Sequence, residues 1–184
     1  MRFRFPLRAV LCVLLVGCSP QVKPISPPPY PPPGTPVTPT TATGSIRGKV
    51  ILQSRMSHEG VTVTVSKLTP VVTEPDGSYA VTGIVAPGQY LVAATMPGYL
   101  SAQGFVEVAN VGETKILPAV TLLAGDVNGD GSVSLFDLVL LSSALVKLDA
   151  ASLRSDLNAD GAVNLFDLVL VGNNLDRRGP IPLN

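Results

Sequence analysis

Two twelve-residue stretches carry side chains whose types and spacing suit a metal ion. The first runs Asp126-Val-Asn-Gly-Asp-Gly-Ser-Val-Ser-Leu-Phe-Asp137, the second Asp156-Leu-Asn-Ala-Asp-Gly-Ala-Val-Asn-Leu-Phe-Asp167. Counted from the leading Asp, side-chain oxygens stand at positions one, three, five and nine of both, glycine at six and a carboxylate at twelve. Ca²⁺ is a hard cation that takes six to eight oxygens at roughly 2.3–2.6 Å, and alternate residues of a tightly turning loop aim at one centre. Asp126, Asn128 and Asp130 do this first. Gly131 supplies a turn that a Cβ resists. Ser132 offers its carbonyl, and Ser134 stands where a ligand often acts through water. Asp137 closes the shell from the first turn of a following helix, where the helix N-terminus also favours a carboxylate. Asp156, Asn158, Asp160, Ala162 (by its carbonyl), Asn164 and Asp167 repeat the arrangement, so the expectation is two Ca²⁺ per chain. A polar Asx turn would explain each Asp-x-Asn-x-Asp-Gly run; it would not require the distal Asp twice. Between Asp126–Leu141 and Asp156–Val171, 11 of 16 paired residues are identical.

Each loop needs a helix to carry its twelfth residue. The first is expected over Leu135–Val146 and the second over Leu165–Leu175. Neither is cleanly amphipathic. Leu138, Leu141 and Leu145 are expected to face a core between the repeats, with Leu168, Val171 and Leu175 opposite. That leaves Leu135, Phe136, Val139 and Leu140, and their copies Leu165, Phe166, Val169 and Leu170. A segment of about 54 residues cannot bury both faces of two helices. The surplus apolar surface must meet the rest of the chain or another protein. No helix-period segment leads into the first loop; Thr121-Leu-Leu-Ala-Gly125 reads as the end of a strand.

Over about Gly125–Arg178 this arrangement resembles the dockerin domain, the duplicated calcium module that plugs cellulosomal proteins into cohesins. Asp rather than Glu at position twelve, and one helix after each loop with none before the first, favour this family over ordinary EF-hands. The resemblance implies a cohesin-type partner recognised on these same helices. Leu135-Phe136 and Leu165-Phe166 fall where clostridial dockerins carry Ser-Thr. Ser142, Ser143 and Lys147 fall at further contact positions, with copies Gly172, Asn173 and Arg177.

Residues 44–124 read as a β-domain. Val61-Thr-Val-Thr-Val65 alternates with period two. Further strands are expected at Ile46–Leu52, Val71–Thr73, Ser78–Thr82, Tyr90–Thr95, Phe105–Val108 and Lys115–Leu122, separated by turns at Pro75-Asp-Gly77, Pro87-Gly88, Pro97-Gly98 and Val111-Gly112. Seven short strands in about 80 residues suggest a sandwich. The fold class expected is thus an all-β sandwich followed by a small α-helical module of two calcium loop–helix repeats. Gly60-Val-Thr-Val, Asp76-Gly-Ser-Tyr79, Pro87-Gly-Gln-Tyr-Leu-Val92 and Gly98-Tyr99 resemble the carboxypeptidase regulatory-like, prealbumin-type sandwich, a name that implies no peptidase activity. Some relatives of that sandwich form a Lys–Asn cross-link. Lys49 has no Asn or Asp in the last strand to receive it, and reads instead as an exposed edge lysine.

Residues 1–17 read as a lipoprotein signal peptide, with Arg2, Arg4 and Arg8 ahead of an apolar core too short to span a bilayer. Leu15-Val-Gly-Cys18 resembles the bacterial lipobox, which implies lipidation of Cys18, and Ser19 after it favours export outward. The expected location is the bacterial cell envelope, lipid-anchored and facing out. Cys12 leaves with the signal, so no pair of cysteines remains for a disulfide. Residues 18–43 form a linker in which ten of the twenty positions Pro20–Pro39 are proline; polyproline II at ~3.1 Å per residue could span up to ~75 Å. Residues 179–184 read as a C-terminal tail.

Charge and composition exclude several functions. Lys and Arg total 13 and so do Asp and Glu. Without the three signal-peptide arginines, 10 basic residues face 13 acidic ones, a net of about −3, which argues against nucleic acid as a partner. Trp is absent and aromatics are few, so a stacking platform for glycans is weakly supported. No catalytic constellation is visible: His58, the one histidine, lies beside Glu59 in an expected solvated loop. The chain is read as non-enzymatic. Three functions remain open: capture of a cohesin-type protein, a calcium-stabilised structural module without a partner, and a carbohydrate-binding accessory in polysaccharide degradation.

Overall fold

The structure, a computed structural model, describes residues 43–145 and 155–183. Cys18, the proline-rich linker and Lys147 lie outside the described residues.

Alternation of apolar and polar side chains builds the β-domain. In β2 (Thr62–Val65) both valines are fully buried while the threonines face outward. In β1 (Gly44–Leu52) Ile46, Val50 and Leu52 point inward. Gly48 on the same strand pairs with Tyr79 of β4 (Ser78–Ile84). A Cβ at Gly48 would come within 2.5 Å of the Tyr79 hydroxyl, so the ring lies directly over the glycine. Burial pushes that phenol up to about 12.

Two sheets enclose the main core. In one, β1 is central: β4 runs antiparallel to it, and β8 (Thr114–Ile116) and β9 (Val120–Leu122) run parallel to it one after the other. The other has the order β11 (Ile181–Pro182), β7 (Ala102–Val108), β5 (Gly88–Thr95), β2, β3 (Val71–Val72). A third, two-stranded sheet joins β6 (Gly98–Tyr99) to β10 (Ala124–Asp126). Helices α1 (Leu135–Ala144) and α2 (Leu165–Asn173) pack on each other, and α2 also packs on β10. One continuous apolar cluster runs from Ile46 and Leu122 of the sheets to Val133, Leu141, Leu157 and Val171 of the repeats.

Several expectations are corrected. Lys49 is exposed, but on a central strand, where it meets Asp76 at 3.9 Å. The expected strand Lys115–Leu122 is two strands: Pro118 has no N–H to donate, and pairing with β1 resumes at Val120. His58 is half-buried rather than solvated; its Nδ1 accepts the Leu52 amide at 3.1 Å. The supposed C-terminal tail is structural. Ile181 and Pro182 pair in parallel with Ala102 and Gln103, and Leu183 is buried. Leu145, expected in the core, is 39% exposed just past the end of α1.

Candidate calcium loops and docking face

Both loops turn sharply at position six. Gly131 and Gly161, at position six, have φ of 84° and 91°, left-handed backbone that a β-carbon disfavours. The leading carboxylate turns back on the loop: Asp126 Oδ2 accepts the Gly131 amide at 3.0 Å, and Asp156 Oδ2 accepts that of Gly161 at 2.9 Å. At position three, Asn128 and Asn158 accept the amides of Asp130 and Asp160. Their own Nδ2 groups donate to Oδ2 of those same aspartates.

Position nine serves as helix N-cap. Ser134 Oγ and Asn164 Oδ1 accept the amides of Phe136 and Phe166. Position twelve is the reciprocal member of each capping box. It is also the hub of its loop. Asp137, fully buried, accepts through Oδ1 from the amides of Val127 and Asn128, and through Oδ2 from the amide and hydroxyl of Ser134. Asp167, equally buried, accepts from the amides of Leu157, Asn158 and Asn164.

In the first loop the fit to a cation rests on one atom above all; in the second the matching oxygen, Asp156 Oδ1, accepts the Asp160 amide at 3.2 Å. Asp126 Oδ1 is buried and has no hydrogen-bond partner. A buried carboxylate oxygen without a donor is costly unless a positive charge meets it. Burial raises the Asp126 carboxyl above the ordinary range, and its neighbours Asp137 and Asp130 push it the same way. Asp130 and Asp160 are exposed and held below that range, first by hydrogen bonds from Ser132 and Asn128 and from Asn158 and Asn164 respectively. Among the described residues no three Asp, Glu, His or Cys side chains are gathered as a metal centre on their own. A calcium loop draws equally on amide and main-chain oxygens, the kind that the sequence pattern assigns to Asn128, Ser132, Asn158 and Ala162.

The helices present an apolar face. Leu135, Phe136, Val139 and Leu140 of α1 are exposed, as are Leu165, Phe166 and Val169 of α2; the two phenylalanines reach 75% and 69%. Leu170, grouped with them from the sequence, is only 9% exposed and belongs to the core. Leu141 and Val171 are fully buried, while Leu138, Leu168 and Leu175 are half-buried. On the β-domain Phe105 is the one exposed aromatic among the described residues; Tyr79 and Tyr99 are buried and Tyr90 bonds back to Val85. The row of rings that a glycan platform needs is missing from these residues.

Sequence reasoning overlooked the contacts that join the repeats to the β-domain. Arg55, in the β1–β2 connection, donates from Nε to the Leu157 carbonyl at 3.0 Å and from Nη2 to the Asp156 carbonyl at 3.2 Å. The Tyr99 hydroxyl also donates to the Leu157 carbonyl, and the Arg55 guanidinium lies 5.4 Å from the centre of the Tyr99 ring. Gln53 Oε1 accepts from the Ala124 amide and from Asn174 Nδ2. The run 176–179 braces the first loop: Asp176 donates to the Val133 carbonyl, Val133 to that of Arg177, and Gly179 to that of Gly131. The Gly98-Tyr99 pair, quoted only for its resemblance to the prealbumin-type sandwich, was the nearest signal in the sequence.

Two capped loop–helix repeats with an exposed apolar face are what the described residues present. The family model of the dockerin type I domain matches residues 124–176. Dockerin domains bind calcium and are typically extracellular or at the cell surface. No curated protein matches the chain. Among solved structures, the chain is similar to two chains from type II cohesin–X–dockerin complexes of Acetivibrio cellulolyticus, an N-terminal and a C-terminal interface mutant. Identity is 23% and 24%, TM-score 0.58 in both, covering 73% of this chain and 97% of each relative. At such identity the likeness is one of fold, and it spans the β-domain as well as the repeats.

Proposed function

We propose that the calcium-loaded repeats dock onto a cohesin-type protein through the apolar face of α1 and α2. The observation that carries this is the exposure of Leu135, Phe136, Leu165 and Phe166, which a purely structural cap would have buried against the β-domain. Each loop would hold one Ca²⁺, through Asp126, Asn128, Asp130 and Asp137 or through Asp156, Asn158, Asp160 and Asp167, with the carbonyls of Ser132 and Ala162. Ser134 and Asn164 would act as helix caps beside the ion. The β-domain, read as a carboxypeptidase regulatory-like sandwich, would be a supporting module.

The two phenylalanines stand at equivalent positions, so a partner reading mainly these residues can engage either face. Truncating a buried aromatic anchor typically costs at least ~2 kcal/mol of binding. Phe136→Ala or Phe166→Ala alone is expected to weaken capture of a purified cohesin modestly, and the double variant to abolish it. Binding in saturating calcium, with circular dichroism to verify folding, tests this. Normal binding by the folded double variant would move the partner surface elsewhere; abolition by one single variant alone would make the faces unequal.

The same reading places the chain on the bacterial envelope through lipid on Cys18, with the proline-rich linker as a stalk. Membrane fractionation of Cys18→Ala tests the anchor: the variant is expected in the soluble or unprocessed fraction, and continued retention would argue against lipidation.

A further inference from the structure

The position-two and position-three amides of each loop point at the twelfth-position carboxylate, and something must hold their peptide planes in that orientation. In the second loop the holders come from the β-domain. The Asp156–Leu157 peptide offers its carbonyl to Arg55 Nη2 and its amide to Asp167 Oδ1, at 3.2 and 2.8 Å. The Leu157–Asn158 peptide offers its carbonyl to Arg55 Nε and the Tyr99 hydroxyl, and its amide to the same Asp167 Oδ1 at 3.2 Å. Two successive peptides are thus clamped between β-domain donors on one side and the position-twelve carboxylate on the other. Donors on a carbonyl polarise its peptide and strengthen the hydrogen bond made by the amide across it.

The first loop is built otherwise. Val127 and Asn128 likewise donate to Asp137 Oδ1. No side chain among the described residues donates to the carbonyls of Asp126 or Val127; here the main chain of β10 pairs with β6, Asp126 opposite Gly98. One short strand therefore serves both loops, through its backbone at Gly98 and through the side chain of Tyr99.

We infer that Arg55 and Tyr99 are positioning residues of the second calcium site alone, so that the β-domain supplies part of that site's outer shell. The inference rests on the calcium reading above. Outer-shell partners that orient a ligand typically account for 10–100-fold in metal affinity. A guanidinium fork spans two carbonyls as an ammonium cannot. Its positive charge opposes the incoming cation, so the informative substitutions are those that keep the charge: Arg55→Lys and Tyr99→Phe.

The test uses the full chain with one loop silenced at a time. With the first loop silenced by Asp130→Ala, both variants are expected to weaken calorimetric calcium binding 10–100-fold. With the second silenced by Asp160→Ala, binding is expected to stay within about twofold. In EDTA, without any metal, Arg55→Lys and Tyr99→Phe are expected to speed hydrogen exchange at the Leu157 and Asn158 amides, and not at Val127 and Asn128. Equal loss in both backgrounds would mean general destabilisation and overturn the inference, as would no loss in either. If the unmodified chain binds no calcium, the calcium reading fails, and the inference with it.

Discussion

The two repeats are nearly the same sequence in two different surroundings. Leu140 and Leu170 occupy equivalent positions, yet the first is 44% exposed and the second 9%. The first loop leans on main-chain partners, β6 before it and the run 176–179 beside it, whereas the second leans on the side chains of Arg55 and Tyr99. Duplication copies the residues of a unit but not its neighbours. The one β-domain meets the two units through different groups, its main chain at the first and side chains at the second. Equivalence is therefore expected for what each repeat does within itself, and not for what it shares with the rest of the chain.

The largest test of internal equivalence is removal of the hub. Asp137→Ala and Asp167→Ala each take the partner from three amides, most of them part-buried, at up to about 1–3 kcal/mol apiece. Both are expected to destabilise the chain by about 3–5 kcal/mol in urea unfolding with calcium present, and to do so alike. A large gap between the two would mean that the hubs differ despite their three matching amide hydrogen bonds.

The comparison should break at the next position tested. Leu170→Ala is expected to cost about 2–5 kcal/mol, as for a core leucine. Leu140→Ala should stay within about 0.5 kcal/mol, as for an exposed site. The order should reverse for partner capture once each variant is confirmed folded, with Leu140→Ala the more damaging. Equal unfolding costs would show the two leucines to be equally packed.

The smallest effect lies where the repeats differ in sequence. Ser142 of α1 returns its hydroxyl to the Val139 carbonyl, and its copy in α2 is Gly172. A Cβ at Gly172 meets nothing within 4 Å. Gly172→Ala is expected to raise stability by about 0.5–1 kcal/mol through the helix preference of alanine. Ser142→Ala should gain no more than a few tenths, both read from thermal or urea midpoints.

What was legible in the sequence was local. A loop whose oxygen side chains recur at every second residue and strands with period two are both encoded within a dozen positions. The contacts that join the repeats to the β-domain are not. Arg55 meets Leu157 across 102 positions and Gln53 meets Asn174 across 121. Nothing in the spacing of an arginine in a loop announces a carbonyl so far along the chain. The misreading of Leu170 has the same origin. Surplus apolar surface can be inferred from counting residues, but the side of it that the β-domain covers depends on how distant elements pack. Pro118 was different: its missing donor was visible in the sequence, yet one strand was read straight through it.

The short C-terminal strand has a further consequence. β11 lies along the outer border of β7, a seven-residue strand that includes the exposed Phe105. A bare strand border with unpaired amides and carbonyls is a template on which another chain can add itself. Ile181 and Pro182 occupy part of that template, and the proline, which has no amide to donate, is a poor start for further pairing. Trimming the chain after Arg178 would therefore do more than loosen the first loop. It would turn β7 into an adhesive border, and the trimmed protein would be expected to self-associate through its β-domain even with calcium in place.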